Sequence, residues 1–352
     1  MKLSGTLLSG FKWRGGADVI SAIFQIVFTA ILARILTKSD FGIVATAMII
    51  NRFAVAFSNF GFGGAIIRNN NINENQISAL FYLNLIVNLI LSLVVYLLAE
   101  PFSIFFNELK LIEIVRISAW LIFIKSFLFP EILLKKNLKF KELSKIQVIS
   151  QVISNLTAIA VALTGIGFWA LIIRSITEKF TFSIFLFYVS KWKPSSPEFS
   201  GLRPFIRYGT HLLFANFLKF LSNNTIGIFT SKYLGIEMMG LFNIAYNLAF
   251  QPIKKLTILF NGVLMPIFSK IQDNKAQFHS QNIKLFKYFS FFAIITITLL
   301  SALSYNVIYF LYGEKWLDAV IFLQILSAIG IFTALIGYCR SMFLVKDLSL
   351  FV

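Results

Sequence analysis

The stretch ARILTKSDFGIVATA (Ala33–Ala47) has a counterpart in SKYLGIEMMGLFNIA (Ser231–Ala245), and the two align without a gap. The alignment places Arg34 opposite Lys232 near the start of the two stretches and Gly42 opposite Gly240 in the middle. Each stretch falls where one long apolar segment ends and the next begins. The match predicts that the chain contains two related halves.

The predicted halves are about 1–198 and 199–352. They are joined by KWKPSSPEFSGLRPF (Lys191–Phe205), whose Pro, Ser and Gly residues are typical of a linker. We expect each half to form one helical bundle.

The composition indicates a membrane protein. Of the 352 residues, 58% are hydrophobic and only 13% are charged, against about 25% charged residues in soluble domains. About 20 apolar residues cross a bilayer as one helix, and long apolar segments argue against a membrane barrel of alternating strands. The predicted fold is therefore all-α and polytopic, with about ten transmembrane helices near 15–36, 41–66, 77–99, 111–134, 142–164, 167–190, 205–230, 238–267, 286–312 and 317–343.

Six of these helices fall in the first half and four in the second. Parallel repeats with a substrate between them are a common transporter layout. If the halves are related as repeats, the second should also have six helices. We therefore expect the second bundle, 199–352, to be incomplete in this chain.

The net charge of +17 would suggest nucleic acid in a soluble protein. Here the basic residues concentrate at one set of segment ends, for example at Lys2, Lys135, Lys136 and Lys191. Short loops rich in Lys and Arg stay in the cytoplasm. The charge is therefore interpreted as a topology signal with a cytoplasmic N-terminus, and no nucleic-acid partner is predicted.

Several charged and polar residues fall inside the apolar segments. Arg52 lies roughly 16 Å along its segment, at about 1.5 Å per residue, where a charge is costly unless it faces water, a carboxylate or an anionic ligand. The candidate anion-binding residues are Arg52, Lys125, Lys219, Lys254 and Lys255. The candidate polar lining residues are Asp18, Gln25, Asn59, Asn216, Asn223, Asn247 and Gln251.

Structural explanations stay open for some of these residues. Instead of binding a ligand, Arg52 could form a structural ion pair with Asp18. Lys254 and Lys255 could instead extend their side chains toward the cytoplasmic surface. Arg174 and Glu178, four residues apart on one helix face, are expected to neutralise each other.

Catalytic and cofactor motifs are missing from the sequence. It contains no GxxxxGK[ST] phosphate loop, no HExxH zinc motif and no GxSxG nucleophile turn. Its single cysteine, Cys339, offers no thiolate cluster for a metal. We therefore expect no cofactor, no metal site and no enzymatic activity.

Four segments carry a resemblance: LARILTKSDFGIVATAMI (Leu32–Ile49), FSNFGFGGAIIRN (Phe57–Asn69), KFKELSKIQVISQVISN (Lys139–Asn155) and GFWALIIRSI (Gly167–Ile176). Together they resemble the Wzx-type polysaccharide flippases of the multidrug/oligosaccharidyl-lipid/polysaccharide exporter superfamily. The resemblance is strongest to the branch that exports colanic-acid-like or teichuronic-acid-like units. Members usually have twelve or more helices, so this chain departs from that pattern.

The resemblance implies two helical bundles in the bacterial inner membrane, moving an oligosaccharide linked to undecaprenyl pyrophosphate by alternating access. It also implies a cationic cavity, which Arg52 and the lysines would supply, and makes membrane lipids and polysaccharide polymerase machinery candidate partners. A multidrug exporter of the MATE type should instead display acidic cavity residues, and Asp18 is the main candidate. A non-transporting membrane scaffold is the other alternative, in which cavity substitutions would have no effect.

Overall fold

The computed structural model describes residues 2–58, 62–69, 72–200, 202–271 and 274–345. These residues are helical except for turns and short connections. They form two compact units, Met1–Gly240 and Leu241–Val352. The α-helices are α1 (Lys2–Ile35), α2 (Lys38–Ser58), α3 (Phe62–Arg68), α4 (Glu74–Leu97), α5 (Ala99–Phe106), α6 (Leu111–Ile124), α7 (Pro130–Lys136), α8 (Phe140–Leu163), α9 (Trp169–Ser190), α10 (Arg203–Phe229), α11 (Ile236–Ile271), α12 (Lys275–Ala302), α13 (Ser304–Tyr312) and α14 (Ala319–Val345).

Six helical segments among the described residues are long and apolar enough to cross a membrane. They are Lys38–Ser58, Glu74–Leu97, Leu111–Lys136, Phe140–Leu163, Ala276–Ala302 and Ala319–Phe343, and Ile20–Ile35 is a shorter apolar helix. This confirms an all-α, multi-pass membrane protein. The count of ten helices, the repeat layout, the boundary between 1–198 and 199–352 and the cytoplasmic N-terminus stay predictions.

Two predicted helices are divided within the described residues. The segment 286–312 becomes α12 and α13, whereas 59–61 of the segment 41–66 lie outside the described residues. The segment 111–134 is interrupted by the 3₁₀ turn Lys125–Leu128. That turn immediately precedes α7, which begins at Pro130. Proline has no N–H to donate to the preceding turn, so the hydrogen bonding of α6 cannot continue unchanged into α7.

Helix α2 begins at a reciprocal cap. The backbone N–H of Thr37 donates to Asp40 Oδ2 at 2.9 Å, and the backbone N–H of Asp40 donates to Thr37 Oγ1 at 3.1 Å. These bonds satisfy amides that a helix start leaves unpaired. The Asp40 carboxylate also lies against Gly167, whose φ of +60° suits glycine and whose added Cβ would approach Asp40 Oδ1 to 2.9 Å.

The two glycines aligned by the sequence match lie against each other. A Cβ added to Gly42 would overlap the carbonyl oxygen of Ile236, and one added to Gly240 would overlap that of Lys38. One turn along α2, Thr46 Oγ1 lies 2.9 Å from Ser231 Oγ. Small residues let membrane helices approach at backbone distance, so α2 crosses the start of α11 at this point without room for a side chain.

Further along, α2 packs antiparallel to α10. An added Cβ at Gly227 would lie 3.0 Å from Ile49 Cδ1. Toward the other end, the ring of Phe53 lies 6.4 Å from that of Phe217 and 5.4 Å from that of Phe220. The first unit therefore contains six predicted helices of the first half and the first predicted helix of the second.

The linker between the predicted halves packs on the first unit. The Trp192 ring lies 5.4 Å from the Phe81 ring and 5.8 Å from the Phe129 ring. The backbone N–H of Ser195 donates to Ser78 Oγ at 2.9 Å, and Ser195 Oγ donates to Asn75 Oδ1 at 2.8 Å. The linker is therefore fixed along the start of α4.

Glu198 continues this attachment at the α4 cap. Asn73 caps α4 by accepting from the backbone N–H of Gln76, and its amide donates to Glu198 Oε2 at 3.0 Å. Gln76 Nε2 donates to the carbonyl of Ser200 at 3.2 Å. Hydrogen bonds from the Ser200 hydroxyl and the Asn73 amide hold the pKa of the Glu198 carboxyl below its ordinary value.

We expect Gly42→Ala and Gly240→Ala each to destabilise the folded protein by about 1–3 kcal/mol, because the added methyl group overlaps a backbone carbonyl that cannot rotate away. The measurement is the thermal unfolding midpoint of the purified protein in detergent. Gly64→Ala is the matched control, because nothing lies within 4 Å of an added Cβ there. Equal midpoints for all three variants would contradict the close crossing.

We expect Glu198→Gln to loosen the linker, because a neutral amide accepts more weakly than a carboxylate from Ser200 and Asn73. A depressed pKa stabilises the attachment above the ordinary carboxyl pKa, and this contribution is lost as the pH falls through the folded-state value. Hydrogen exchange, corrected for intrinsic rates, should show faster exchange at Ser195 and Glu198 in the variant at neutral pH and in the wild type at acidic pH. Glu142→Gln is the control, and unchanged exchange in Glu198→Gln would refute this role.

Candidate functional site

Arg52 lies on an exposed position of α2. Its neighbours Asn51 and Ala54 are buried, whereas Arg52 is exposed, and its Nε donates to the carbonyl of Met48 at 3.1 Å. The side chain therefore stays outside the packed interior of the first unit. The predicted partner Asp18 has no described side chain, so its pairing with Arg52 stays a prediction.

Lys125 lies at the first residue of the 3₁₀ turn after α6. Its Nζ donates to Ser58 Oγ at 2.9 Å, and Ser58 is buried at the end of α2. The structure thereby brings the end of α2 and the break after α6 together through one cation. Asn59, the predicted polar neighbour, lies outside the described residues.

Helix α9 contributes charges close to this turn. Glu178 lies one turn after the partly buried Arg174 on α9, but no salt bridge within 4.0 Å joins them in the described part of the chain. Arg174 Nε is buried and makes no hydrogen bond there. The residue after Glu178, Lys179, is partly exposed. Ser183, four residues after Lys179, donates to the carbonyl of Phe127 at 3.1 Å. The sequence analysis did not single out Lys179, and the i,i+4 spacing to Ser183 was the available signal.

Helix α10 separates its polar residues between two faces. Lys219 and Asn223 are exposed, and Asn216 is partly buried. Asn224, which the sequence analysis missed, is buried and donates to the carbonyl of Phe220 at 2.8 Å. The interior position belongs to Asn224 because it lies one turn beyond Phe220 on the face that packs on α2.

The remaining lysine candidates lie in the second unit on α11. Lys254 Nζ lies 5.5 Å above the ring of Tyr246, a cation–π contact. Lys255 and Gln251 are partly buried. Asn247 Nδ2 donates to the carbonyl of Asn243 at 2.9 Å. These residues form a cationic and amide-rich section of α11.

Helices α1 and α8 share a buried polar contact that the sequence analysis did not single out. Gln151 Nε2 donates to the carbonyl of Ser21 at 3.1 Å, and Asn155 Nδ2 donates to the carbonyl of Gln151 at 2.7 Å. The side-chain oxygens of Gln151 and Asn155 accept no hydrogen bond from described residues. Gln25, one turn beyond Ser21, is partly buried. The i,i+4 spacing of Gln151 and Asn155 was the available signal.

One charged pair lies apart from these groups. Arg116 Nη2 donates to Glu100 Oε1 at 2.8 Å, and its guanidinium lies 5.4 Å above the ring of Tyr96. Both interactions connect α6 to the α4–α5 corner. Arg116 is therefore neutralised locally and is not grouped with the other cations.

The chemistry of the candidate side chains is cationic and amide-rich. No group of three or more His, Cys, Asp or Glu residues comes together among them. Arg offers a planar fork of donors to phosphate oxygens, and Lys offers a point charge. Amides on α10 and α11 are able to hydrogen-bond to sugar hydroxyls.

Comparisons with known proteins agree on one family and one fold. A family model described as polysaccharide biosynthesis protein matches residues 31–321. The teichuronic acid biosynthesis protein TuaB of Bacillus subtilis is 28% identical, over 97% of this chain and 71% of its own length. The lipopolysaccharide biosynthesis protein WzxC of Escherichia coli is 26% identical, over 94% of this chain and 68% of its own length.

Two solved structures share the fold. The lipid II flippase MurJ in an inward closed conformation gives a TM-score of 0.72 at 16% identity, over 95% of this chain and 76% of its own. An inward-facing MATE multidrug transporter of the MOP superfamily gives a TM-score of 0.72 at 14% identity, over 96% of this chain and 84% of its own. The family match spans far more than half of the sequence, so the chain belongs to the polysaccharide biosynthesis protein family.

Proposed function

We propose that this chain is a transporter that moves a lipid-linked oligosaccharide across the bacterial inner membrane for surface polysaccharide synthesis. The observation that carries the proposal is the set of cationic side chains on apolar helices in a member of this family. Arg52 lies on a helix that otherwise has no charged residue between Phe41 and Ser58. Such a position is costly in a bilayer unless it serves a polar pathway or an anionic ligand.

The proposed cargo carries its charge in a pyrophosphate that joins the oligosaccharide to undecaprenol. Arg52 would bind this group with its fork of donors, while Lys219, Lys254 and Lys255 would supply point charges along the path. Amides of Asn216, Asn223, Asn247 and Gln251 would exchange hydrogen bonds with the sugar hydroxyls. The hydrocarbon tail would stay in the lipid, where it needs no protein groups.

Alternating access of two related bundles would move the head group between the leaflets. The family match and the fold shared with MurJ and MATE transporters support transport rather than catalysis. With the N-terminus in the cytoplasm, the basic ends of the helices would face the compartment in which the cargo is assembled. The polysaccharide polymerase machinery would receive the cargo on the other side.

The test is mass spectrometry of lipid-linked oligosaccharides in cells that lack this protein. We expect an intermediate to accumulate and the wild-type protein to clear it. Arg52→Gln should clear it about tenfold or more slowly, because a hydrogen bond to a charged group contributes about 1.5–3 kcal/mol. Arg34→Gln, which changes an exposed arginine at the end of α1, is the matched control at equal expression.

Two outcomes would contradict the proposal. If no intermediate accumulates in the deletion strain, even after redundant exporters are removed, the cargo is not a lipid-linked oligosaccharide. Sensitivity to cationic drugs in the same strain would then favour the MATE-like alternative. If Arg52→Gln clears the intermediate as fast as Arg34→Gln does, Arg52 has no role in recognising the cargo.

A further inference from the structure

The corner between α7 and α8 lies at the membrane surface. Helix α7 ends the segment Leu111–Lys136, which is long and apolar enough to cross a bilayer, and α8 is the next such segment, Phe140–Leu163. Residues 137–139 are the whole connection between them. A connection this short stays at the interface, because each of its ends is held where a membrane-spanning helix stops. Side chains exposed at this corner therefore face the lipid headgroups.

The corner is a helix stop that holds a leucine where glycine is usual. The backbone N–H of Leu138 donates to the carbonyl of Lys135 at 3.1 Å, and that of Lys139 donates to the carbonyl of Leu134 at 2.9 Å. This pair of bonds is the Schellman motif, whose left-handed position is most often glycine. Leu138 occupies that position at φ +55°, where its Cβ is crowded. Its side chain is 40% exposed, so a large part of the leucine is left for a contact outside the protein.

The corner also has an excess of positive charge. Five lysines and two glutamates lie between residues 130 and 146. Two of the lysines make contacts inside the protein, since Lys135 forms an ion pair with Glu131 at 2.6 Å and Lys136 Nζ donates to the carbonyl of Asn69 at 2.9 Å. The other three lysines are exposed, and they are Lys139, Lys141 and Lys145.

The end of α9 brings further cations and an aromatic ring to the same surface. Leu186 of α9 belongs to the same buried cluster as Leu143 of α8, which places the last turn of α9 beside the corner. Tyr188 is exposed there, and Lys191 and Lys193 follow it at exposed positions. Exposed tyrosine is typical of a membrane–water interface, and clustered lysines attract anionic lipid headgroups.

We propose that Leu138, Lys139 and Lys141 form a binding site for an anionic phospholipid. The two ammonium groups contact the headgroup phosphate, and the Leu138 side chain enters the acyl-chain region beside it. Lysine suits this contact, because a flexible point charge follows a mobile phosphate without the bidentate geometry that arginine imposes. The inference goes beyond the proposed function, since this lipid stays bound to the surface of the first unit and is not the cargo.

The leucine favours a phospholipid over a free anion. Exposed lysines alone hold a dissolved anion weakly, because water and salt screen the attraction. A phospholipid adds an apolar contact that gives the strained Leu138 a use. Lysines that acted only as a topology signal would need no lipid in the folded protein, and they would not require a leucine at the left-handed position.

The test is native mass spectrometry of the purified full chain in neutral detergent, titrated separately with phosphatidylglycerol and with zwitterionic phosphatidylcholine. Phosphatidylglycerol should bind more tightly, and added salt should reduce the difference. Lys139→Gln should weaken its binding about fivefold, and Lys139→Gln with Lys141→Gln about 25-fold, because each lysine near an anionic surface contributes a similar amount. Lys110→Gln is the matched control, since Lys110 is exposed at the other end of the segment Leu111–Lys136.

Leu138→Gly separates the apolar contact from the charges. Glycine adopts φ +55° without strain, so the thermal unfolding midpoint in lipid-free detergent should not fall. Phosphatidylglycerol should nevertheless bind more weakly, whereas binding of glycerophosphoglycerol, the same headgroup without acyl chains, should stay weak and unchanged. A lower midpoint together with unchanged lipid binding would show that Leu138 serves packing inside the protein, and would overturn its part in the site.

Other outcomes would overturn the site as a whole. They are equal binding of the two phospholipids, full phosphatidylglycerol binding in the double lysine variant, and an equal loss in Lys110→Gln, which would indicate a response to net charge alone. Glycerophosphoglycerol that binds as tightly as the intact lipid would make the corner a free-anion site. A polyprenyl diphosphate that binds more tightly than phosphatidylglycerol, and loses this binding in the double variant, would assign the corner to the carrier of the cargo instead.

Discussion

Hydrocarbon solvates neither a peptide group nor a charge, and the rest of this structure follows from that constraint. Unpaired backbone groups in a bilayer each cost several kcal/mol, so the described chain is built from helices and short turns. For the same reason, each cation on an apolar helix needs a polar or anionic neighbour. Arg116 satisfies this need locally through Glu100 and Tyr96. Arg52 donates to the carbonyl of Met48, and Lys125 donates to the buried hydroxyl of Ser58.

Packing inside the membrane depends on shape because apolar side chains gain little from leaving lipid. Small residues are therefore placed where helices must touch. The contact between Gly42 and Gly240 is the clearest case, since each glycine occupies space that a methyl group would take from a carbonyl of the other helix. Thr46 and Ser231 add a hydroxyl contact beside it. Through this crossing and its contacts with α10, α2 becomes a central helix of the first unit.

The sequence predicted the helical membrane fold and the family because both depend on properties distributed over the whole chain, namely apolar segment length and many weak similarities. The alignment placed Gly42 opposite Gly240 as repeat counterparts and did not predict the contact that the structure shows between them. Helix interruptions around Lys125 and at Leu303 were missed, because an apolar run carries no mark of where its backbone breaks. Asn224 was missed because the face that a membrane helix buries depends on its neighbours, and the polar run 222–225 does not indicate which of its members is buried. The site assignments for Arg52 and the lysines stay predictions.

The most direct test of the central claim is translocation by the purified chain in liposomes that contain a labelled lipid-linked oligosaccharide. An added glycosidase that cannot cross the membrane digests only the outer leaflet. The account predicts that digestion proceeds beyond the outer-leaflet fraction toward completion when the chain is present, with sodium and proton gradients imposed in separate runs. Digestion that stops at the same fraction as in protein-free liposomes, under every gradient, would contradict the claim that this chain moves such a lipid.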